Sequence, residues 1–261
     1  MINVGSELDE VIRKYFRNLI SEHGLGSEYV TAKASSGAAG SGAVEFKIVP
    51  PEWFELPSRE YAIARGEEVI MECVFRGAKA HVFTASPFSG SLMLKDVLEL
   101  DLNTISNRAL FYGSLNAVMR YLGLIDKTIH CRGREPLRCA ESLADEVVNK
   151  YGDVPALLVG YQPAMAKALA GVLKNFYVTD MNPDNMGKKV GNSVVLSHTE
   201  NFRLLRKVKV ALVTGSALVN STLWPLYSEA RRLGVELIVY GVTAAGATKI
   251  LNINKYCRFG T

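Results

Sequence analysis

The sequence has few cysteines and histidines, and none of them forms a common metal-binding pattern. Its four cysteines include no C-x-x-C pair, and their spacing matches no usual zinc signature. Because no secretory signal precedes them, we expect reduced thiols. A catalytic histidine would have to be one of only four: His23, His81, His130 and His198.

Targeting and nucleic-acid-binding segments are also missing from the sequence. The N-terminus lacks the charged and apolar regions of a signal peptide, and no apolar run approaches the ~20 residues of a membrane helix. The net charge is only +4, and the Lys and Arg residues are scattered rather than gathered into a stripe. We therefore expect a cytoplasmic protein without a membrane or nucleic-acid partner. A homodimer is a reasonable expectation from the frequency of two-fold dimers, although no residue pattern specifies one.

Familiar catalytic and cofactor motifs do not occur. There is no Walker loop, H-E-x-x-H or nucleophile elbow. Residues 159–166 read V-G-Y-Q-P-A-M-A, which keeps the first glycine of a dinucleotide fingerprint and lacks the other two. A conventional NAD site is therefore not expected, and no cofactor is assigned.

The chain does contain enough apolar material for a large core, with 48% hydrophobic residues in 261. The first 151 residues predict strands followed by helices, an α+β arrangement. The predicted strands are Tyr29–Ala34, Val44–Val49 and the hairpin 68–85, and a glycine- and serine-rich tract at 35–42 separates the first two. The predicted helices begin near Ser6 and then cover 92–100, 105–122 and 135–151.

The last 110 residues alternate short apolar runs with helical patterns. The runs at 154–159, 176–179, 193–196, 208–213 and 235–240 predict strands of a parallel sheet wound on both faces. The helical patterns include 163–174, 199–207 and 218–233. The sequence thus predicts an α+β domain at 1–151 and an α/β domain at 152–261.

Polar residues cluster where the strand at 208–213 gives way to the next helix. Thr214, Gly215 and Ser216 follow the strand, and Asn220 and Thr222 come one helical turn later. Ligands bind at this edge of open α/β sheets, because helix N-termini leave amide donors free. Each residue alone could simply cap the helix, but the cluster favours a pocket for a small polar or anionic ligand.

Asp180 and the cysteines allow alternative interpretations. Asp180 lies about twenty residues after Gly160, where an acidic side chain can accept ribose hydroxyls. We favour instead a turn role in the segment from Asp180 to Asp184.

Cys131 and Cys139 flank an arginine-rich segment that would repel a cation. A soft-metal site there would need a third ligand, such as His81 or His198.

Four segments resemble a known family. G-Y-Q-P-A-M at 160–165, V-T-D-M-N-P at 178–183 and T-G-S-A-L-V-N-S-T-L at 214–223 resemble the C-terminal domain of the heavy-metal chelation domain family, whose function is unknown. F-Y-G-S-L-N-A-V at 111–118 resembles a helix of the N-terminal domain usually fused to it. The resemblance implies an enolase N-terminal-like domain followed by a Rossmann-like domain, with the site in the cleft between them.

The resemblance also implies which residues form the two walls of that cleft. One wall would contain Gly160, Gln162, Pro163, Asp180, Asn182, Thr214, Gly215, Ser216, Asn220 and Thr222. Asn116 and the loop 86–91 are candidates for the other wall. The leading hypothesis is a small-molecule ligand in this cleft, with the reaction class left open and no metal ligand assigned. The alternative is a metal-handling protein that chelates through Cys131, Cys139 and a histidine.

Overall fold

A computed structural model describes residues 4–34 and 69–261. The predicted strand 44–49 and the glycine-rich tract 35–42 lie outside the described residues. Within the described part, the chain forms two sheets with helices packed on them. No helix in that part is long and apolar enough to cross a membrane.

The first sheet is antiparallel and has four strands among the described residues, in the order β3-β2-β1-β4. They are β1 (Tyr29–Ala34), β2 (Val69–Phe75), β3 (Ala78–Thr84) and β4 (Gly90–Met93). β2 and β3 form the predicted hairpin, whose turn residues Arg76 and Gly77 both have positive φ, as a tight hairpin turn requires. The predicted helix 92–100 is wrong at its start. Leu92 and Met93 pair with β1 instead, and only Leu94–Val97 is helical.

Four helices belong to the first 151 residues in the described part: α1 (Val4–Glu22), α2 (Leu94–Val97), α3 (Ile105–Tyr121) and α4 (Glu135–Tyr151). α3 is buried from Arg108 to Met119, because it lies on β2 and β3 and also contacts helices of the second sheet. Gly113 permits this approach: a Cβ at that position would lie 2.4 Å from the sulfur of Cys73.

The second sheet has seven strands in the described residues, in the order β11-β10-β9-β5-β6-β8-β7. They are β5 (Ala156–Val159), β6 (Phe176–Asp180), β7 (Lys189–Val190), β8 (Ser193–Ser197), β9 (Val210–Thr214), β10 (Glu236–Tyr240) and β11 (Asn254–Tyr256). All neighbours are parallel except β7, which is antiparallel to β8. This is the parallel sheet that the alternating pattern predicts.

The helices of this half are α5 (Pro163–Val172), α6 (Asn201–Leu205), α7 (Ser216–Val219), α8 (Leu223–Leu233) and α9 (Ala245–Ile250). The predicted helix 218–233 is thus two helices. Ser221 has a φ of 60°, which an α-helix cannot accommodate. The residues between α7 and α8 therefore belong to a loop.

Both faces of the second sheet are buried. Leu157 and Val159 of β5 belong to the large core that reaches α1 and α3, whereas Ala156 and Leu158 pack with α4 and α5. α4 contacts α5 extensively, although it precedes residue 151. The domain division at that residue stays a prediction.

A buried ionic network joins the two halves. The guanidinium of Arg108 in α3 donates to the carboxylate of Asp9 in α1 at 2.5 Å and to the carbonyl of Leu218 in α7 at 2.8 Å. The indole of Trp224 in α8 donates to the same carboxylate at 2.6 Å, as does the hydroxyl of Tyr112. Burial raises the pKa of Tyr112 well above its ordinary value, so this hydroxyl stays a donor. The network fixes the end of α7 against the N-terminal half.

Candidate functional site

The strand order of the second sheet marks where a ligand crevice should lie. Counted along the chain without β7, the strands run 3-2-1-4-5-6, with β5 as the first and β9 as the fourth. This is the order of doubly wound nucleotide-binding sheets, and it reverses between β5 and β9. The chain leaves β5 towards α5 and leaves β9 towards α7, which pack on opposite faces. The loops after these strands therefore diverge and leave a hollow between them.

A cavity of about 710 Å³ occupies this position, within the size range of small-molecule sites. The loops that follow β5, β6, β9 and β10 line one side of it. Phe83, Ala85, Ile105 and His130 from the N-terminal half line the other side. The cavity thus lies between the two halves of the chain.

The loop after β5 is held close to β9. Gly160 has a φ of 92°, and a Cβ there would lie 2.7 Å from Cγ2 of Thr214, so only glycine fits without displacement. The hydroxyl of Tyr240 on β10 donates to the Gly160 carbonyl at 2.7 Å. Gln162 follows and caps α5, its Oε1 accepting from the Met165 amide at 2.5 Å. Pro163 then begins the helix.

Asp180, at the end of β6, connects two loops of the cavity wall. Its carboxylate accepts from the amide of Tyr161 at 2.6 Å and from that of Asn182 at 2.7 Å. It also accepts from the side-chain amide of Asn185 at 3.2 Å. The bond to Asn182 confirms the predicted turn role. The bond to Tyr161 shows a second role, in holding the loop after β5.

The loop after β9 presents hydroxyl groups to the cavity. The hydroxyls of Thr214 and Ser216 are 3.0 Å apart, while the Gly215 amide donates to the Tyr240 carbonyl at 2.8 Å. Asn220 and Thr222 complete this side beyond α7. Ser216 is 8% exposed, so it is largely buried and still borders the hollow.

Ten of the eleven predicted site residues border this one cavity, and Asn116 does not. The Asn116 side chain donates to the Thr243 carbonyl and accepts from the Gly246 amide, both at 2.8 Å. It therefore fastens the loop after β10 to α3. The loop 86–91 also does not line the cavity, although Phe83 and Ala85 just before it do. Ligand binding by these residues stays a prediction.

Several polar residues of the wall were not among the predicted site residues. Asn185 and Asn201 are both buried, and Asn201 accepts from the Thr179 hydroxyl at 2.6 Å. His198, considered in the sequence as a metal ligand or one of four possible catalytic histidines, also lines the cavity, and its Nδ1 is buried without a hydrogen-bond partner. All three follow strands of the second sheet, so the strand-end criterion that selected Asp180 could have found them.

Three thiols also line the cavity. Cys131, Cys139 and Cys257 line it together with His130. Burial raises the pKa of each of these thiols and lowers that of His130 to about 4, so at neutral pH all four groups are uncharged. In residues 4–34 and 69–261, no three potential ligands are arranged to hold a metal ion.

Comparisons with known proteins found a family model that matches part of the chain and two solved structures with a similar fold. Residues 143–252 match the model of DUF364, described as "Putative heavy-metal chelation". No curated protein matches the chain. A DUF364 structure of unknown function from Pyrococcus horikoshii aligns with 17% identity and a TM-score of 0.51, over 91% of this chain and 80% of its own.

A second DUF364 structure of unknown function, from Desulfitobacterium hafniense, aligns with 9% identity and a TM-score of 0.52. It covers 93% of this chain and 82% of its own length. At these identities the likeness concerns the fold alone. The chain thus matches the DUF364 model in its C-terminal half and shares its fold with two structures from that family.

Proposed function

We propose that the protein binds a small polar or anionic organic molecule in the cavity between its two halves. The observation that carries the proposal is the convergence of ten polar or loop-forming residues on one hollow at the strand-order reversal. Ligands of open α/β sheets occupy this crevice. The proposal retains an enolase N-terminal-like part and a Rossmann-like part as the two sides of the cleft.

The roles of individual residues follow from their contacts. The hydroxyls of Thr214 and Ser216 and the amide of Asn220 are suited to orient a polar ligand. Asp180 keeps acceptor capacity for a ligand hydroxyl or amine, since a carboxylate offers about four lone-pair sites and three are used. Tyr240 holds the wall rather than the ligand, because its hydroxyl is bonded to backbone carbonyls.

A thermal-shift panel of nucleosides, nucleotides, amino acids and small carboxylic acids tests the proposal. A ligand at 100 times its Kd adds about 2.7 kcal/mol of stability, or roughly 5–10 °C for a chain of this size. The variants Ser216→Ala and Asn220→Ala should remove most of the shift. Ser228→Ala and Asn175→Ala, matched changes away from the cavity, should keep it. Equal shifts in all four variants would refute the site.

Soft-metal chelation is the second candidate, since three cysteines line one cavity in a chain that matches a family described by metal chelation. The thiols would first have to lose their protons and move, because the described residues contain no arranged set of three ligands. Elemental analysis of the purified protein decides this. Stoichiometric soft metal that disappears in the Cys131→Ser/Cys139→Ser variant would favour chelation over organic-ligand binding.

A further inference from the structure

We infer that the ligand of this cavity is a phosphate-free molecule of about nucleoside size, neutral or positively charged, with hydroxyl or amine donors. The inference rests on the proposed function and narrows its ligand class. It combines three observations: how the amides at the start of α5 are used, which charges line the cavity, and where its acceptors lie.

The first observation concerns the helix start that receives pyrophosphate in dinucleotide-binding sheets. The first three residues of a helix leave their amide hydrogens unpaired within the helix. In α5, Pro163 has no amide hydrogen, and the amide of Met165 is bound by Gln162. The amide of Ala164 is left at this helix start, together with that of the N-cap residue Gln162.

The amides of the preceding loop also have acceptors within the protein. The Gly160 amide donates to the carbonyl of Thr179 at 2.9 Å, and the Tyr161 amide donates to the carboxylate of Asp180. A phosphate at this position would have to displace the Thr179 carbonyl from the Gly160 amide and the Asp180 carboxylate from the Tyr161 amide. The loop is therefore built around an internal anion rather than an external one.

The second observation is the charge of the lining. Among the described residues that line the cavity, none is Lys or Arg, whereas Asp180 and Asp184 are both present. Lys188 is not among the lining residues, and its ammonium donates to Asn185 at 2.6 Å and lies 5.8 Å from the ring centroid of Tyr161. Phosphate sites usually combine amide donors with a cationic side chain. Among the described lining residues the cationic side chain is missing, and at the start of α5 part of the amide donors is already in use.

The third observation is that the polar lining includes carboxylate acceptors and small hydroxyls. The carboxylates of Asp180 and Asp184 and the hydroxyl pair of Thr214 and Ser216 all line the cavity. This arrangement suits ligand hydroxyl or amine hydrogens, and a positive charge on the ligand would be stabilised by the carboxylates. The cavity volume of about 710 Å³ accommodates a nucleoside-sized molecule.

Titration calorimetry of the full chain with matched compound pairs tests the inference. Each pair differs by one phosphate: adenosine and AMP, guanosine and GMP, cytidine and CMP, choline and phosphocholine. We expect at least one phosphate-free member to bind, and its phosphorylated partner to bind at least ten-fold more weakly. That binding should be lost in Ser216→Ala.

A charge placed in the wall provides a second measurement. Met181 lines the cavity and is 48% exposed, whereas Met186 in the same loop is 37% exposed and does not line it. Met181→Lys should raise the affinity for the phosphorylated partner at least five-fold, and Met186→Lys should leave it unchanged.

The outcomes separate the inference from the proposed function. Tighter binding of a phosphorylated member, lost in Ser216→Ala, would overturn the phosphate-free inference and leave the proposed function standing. Binding by no member of any pair would overturn the inference, whereas the proposed function would fall only if the wider thermal-shift panel also gave no shift. Equal effects of Met181→Lys and Met186→Lys would overturn the electrostatic argument, and with it the inference.

Discussion

The close approach of Gly160 to Thr214 predicts a large loss of stability for Gly160→Ala. An alanine at the Gly160 φ of 92° would be strained, which costs about 1–2 kcal/mol. Its Cβ would also lie 2.7 Å from Cγ2 of Thr214. Overpacking of this kind costs about 1–3 kcal/mol. We therefore expect the free energy of unfolding to fall by roughly 2–5 kcal/mol, measured by urea titration with circular dichroism.

A second substitution separates the two causes. Thr214→Ser removes Cγ2 and keeps the hydroxyl that pairs with Ser216, so in a double-mutant cycle it should recover about 1–2 kcal/mol of the Gly160→Ala loss. The strain would remain, and so would the close approach to Cβ of residue 214 at 3.0 Å.

Gly171→Ala provides the control, since a Cβ there meets nothing within 4 Å and its φ is ordinary. This change lies in α5 and should raise stability by up to about 1 kcal/mol. The reasoning is refuted if Gly160→Ala changes stability by less than about 1 kcal/mol, or if Thr214→Ser gives no coupling.

Three further predictions concern the support of the cavity. We expect Asp9→Leu and Arg108→Met each to lower the free energy of urea unfolding by about 3–5 kcal/mol, because each single change leaves a buried charge unpaired. The double variant should lose clearly less than the sum of the two. Additive losses would argue against the ion pair. Burial lowers the pKa of His130 from its ordinary 6.5 to about 4, because the folded state favours the neutral imidazole. The free energy of unfolding therefore contains the full contribution of this imidazole above pH 6.5 and loses it as the pH falls towards 4. Stability should decrease over that window by roughly 3 kcal/mol, and a His130→Phe variant with the same slope would contradict this cause. Asn116→Ala should cost at least ~2 kcal/mol, because two backbone groups of the loop after β10 lose their partners; a neutral effect would show that water replaces them.

The strands of the second sheet and the position of the site could be predicted from local patterns. Val208–Val213 and Val154–Val159 are apolar runs that end in turn residues, and β5 and β9 are buried on both faces. Because the carboxyl ends of parallel strands share an edge, residues such as Asp180 and Ser216 could be grouped without knowledge of the strand order.

Long-range partners could not be predicted in this way. Asn116 was assigned to the cavity because of its motif, but its amide binds a carbonyl 127 residues away. Cys257 joins Cys131 and Cys139 only because β11 returns beside β10. Leu92 and Met93, the second half of β4, were predicted as the start of a helix, and their pairing with β1 depends on the whole sheet.

Crystals soaked with the compound that gives the largest thermal shift test most directly whether the hollow between β5 and β9 is a ligand site. We expect difference density for the compound between Asp180 and the hydroxyls of Thr214 and Ser216, and no such density in Ser216→Ala crystals. Density elsewhere on the molecule, with the hollow filled only by water, would contradict it.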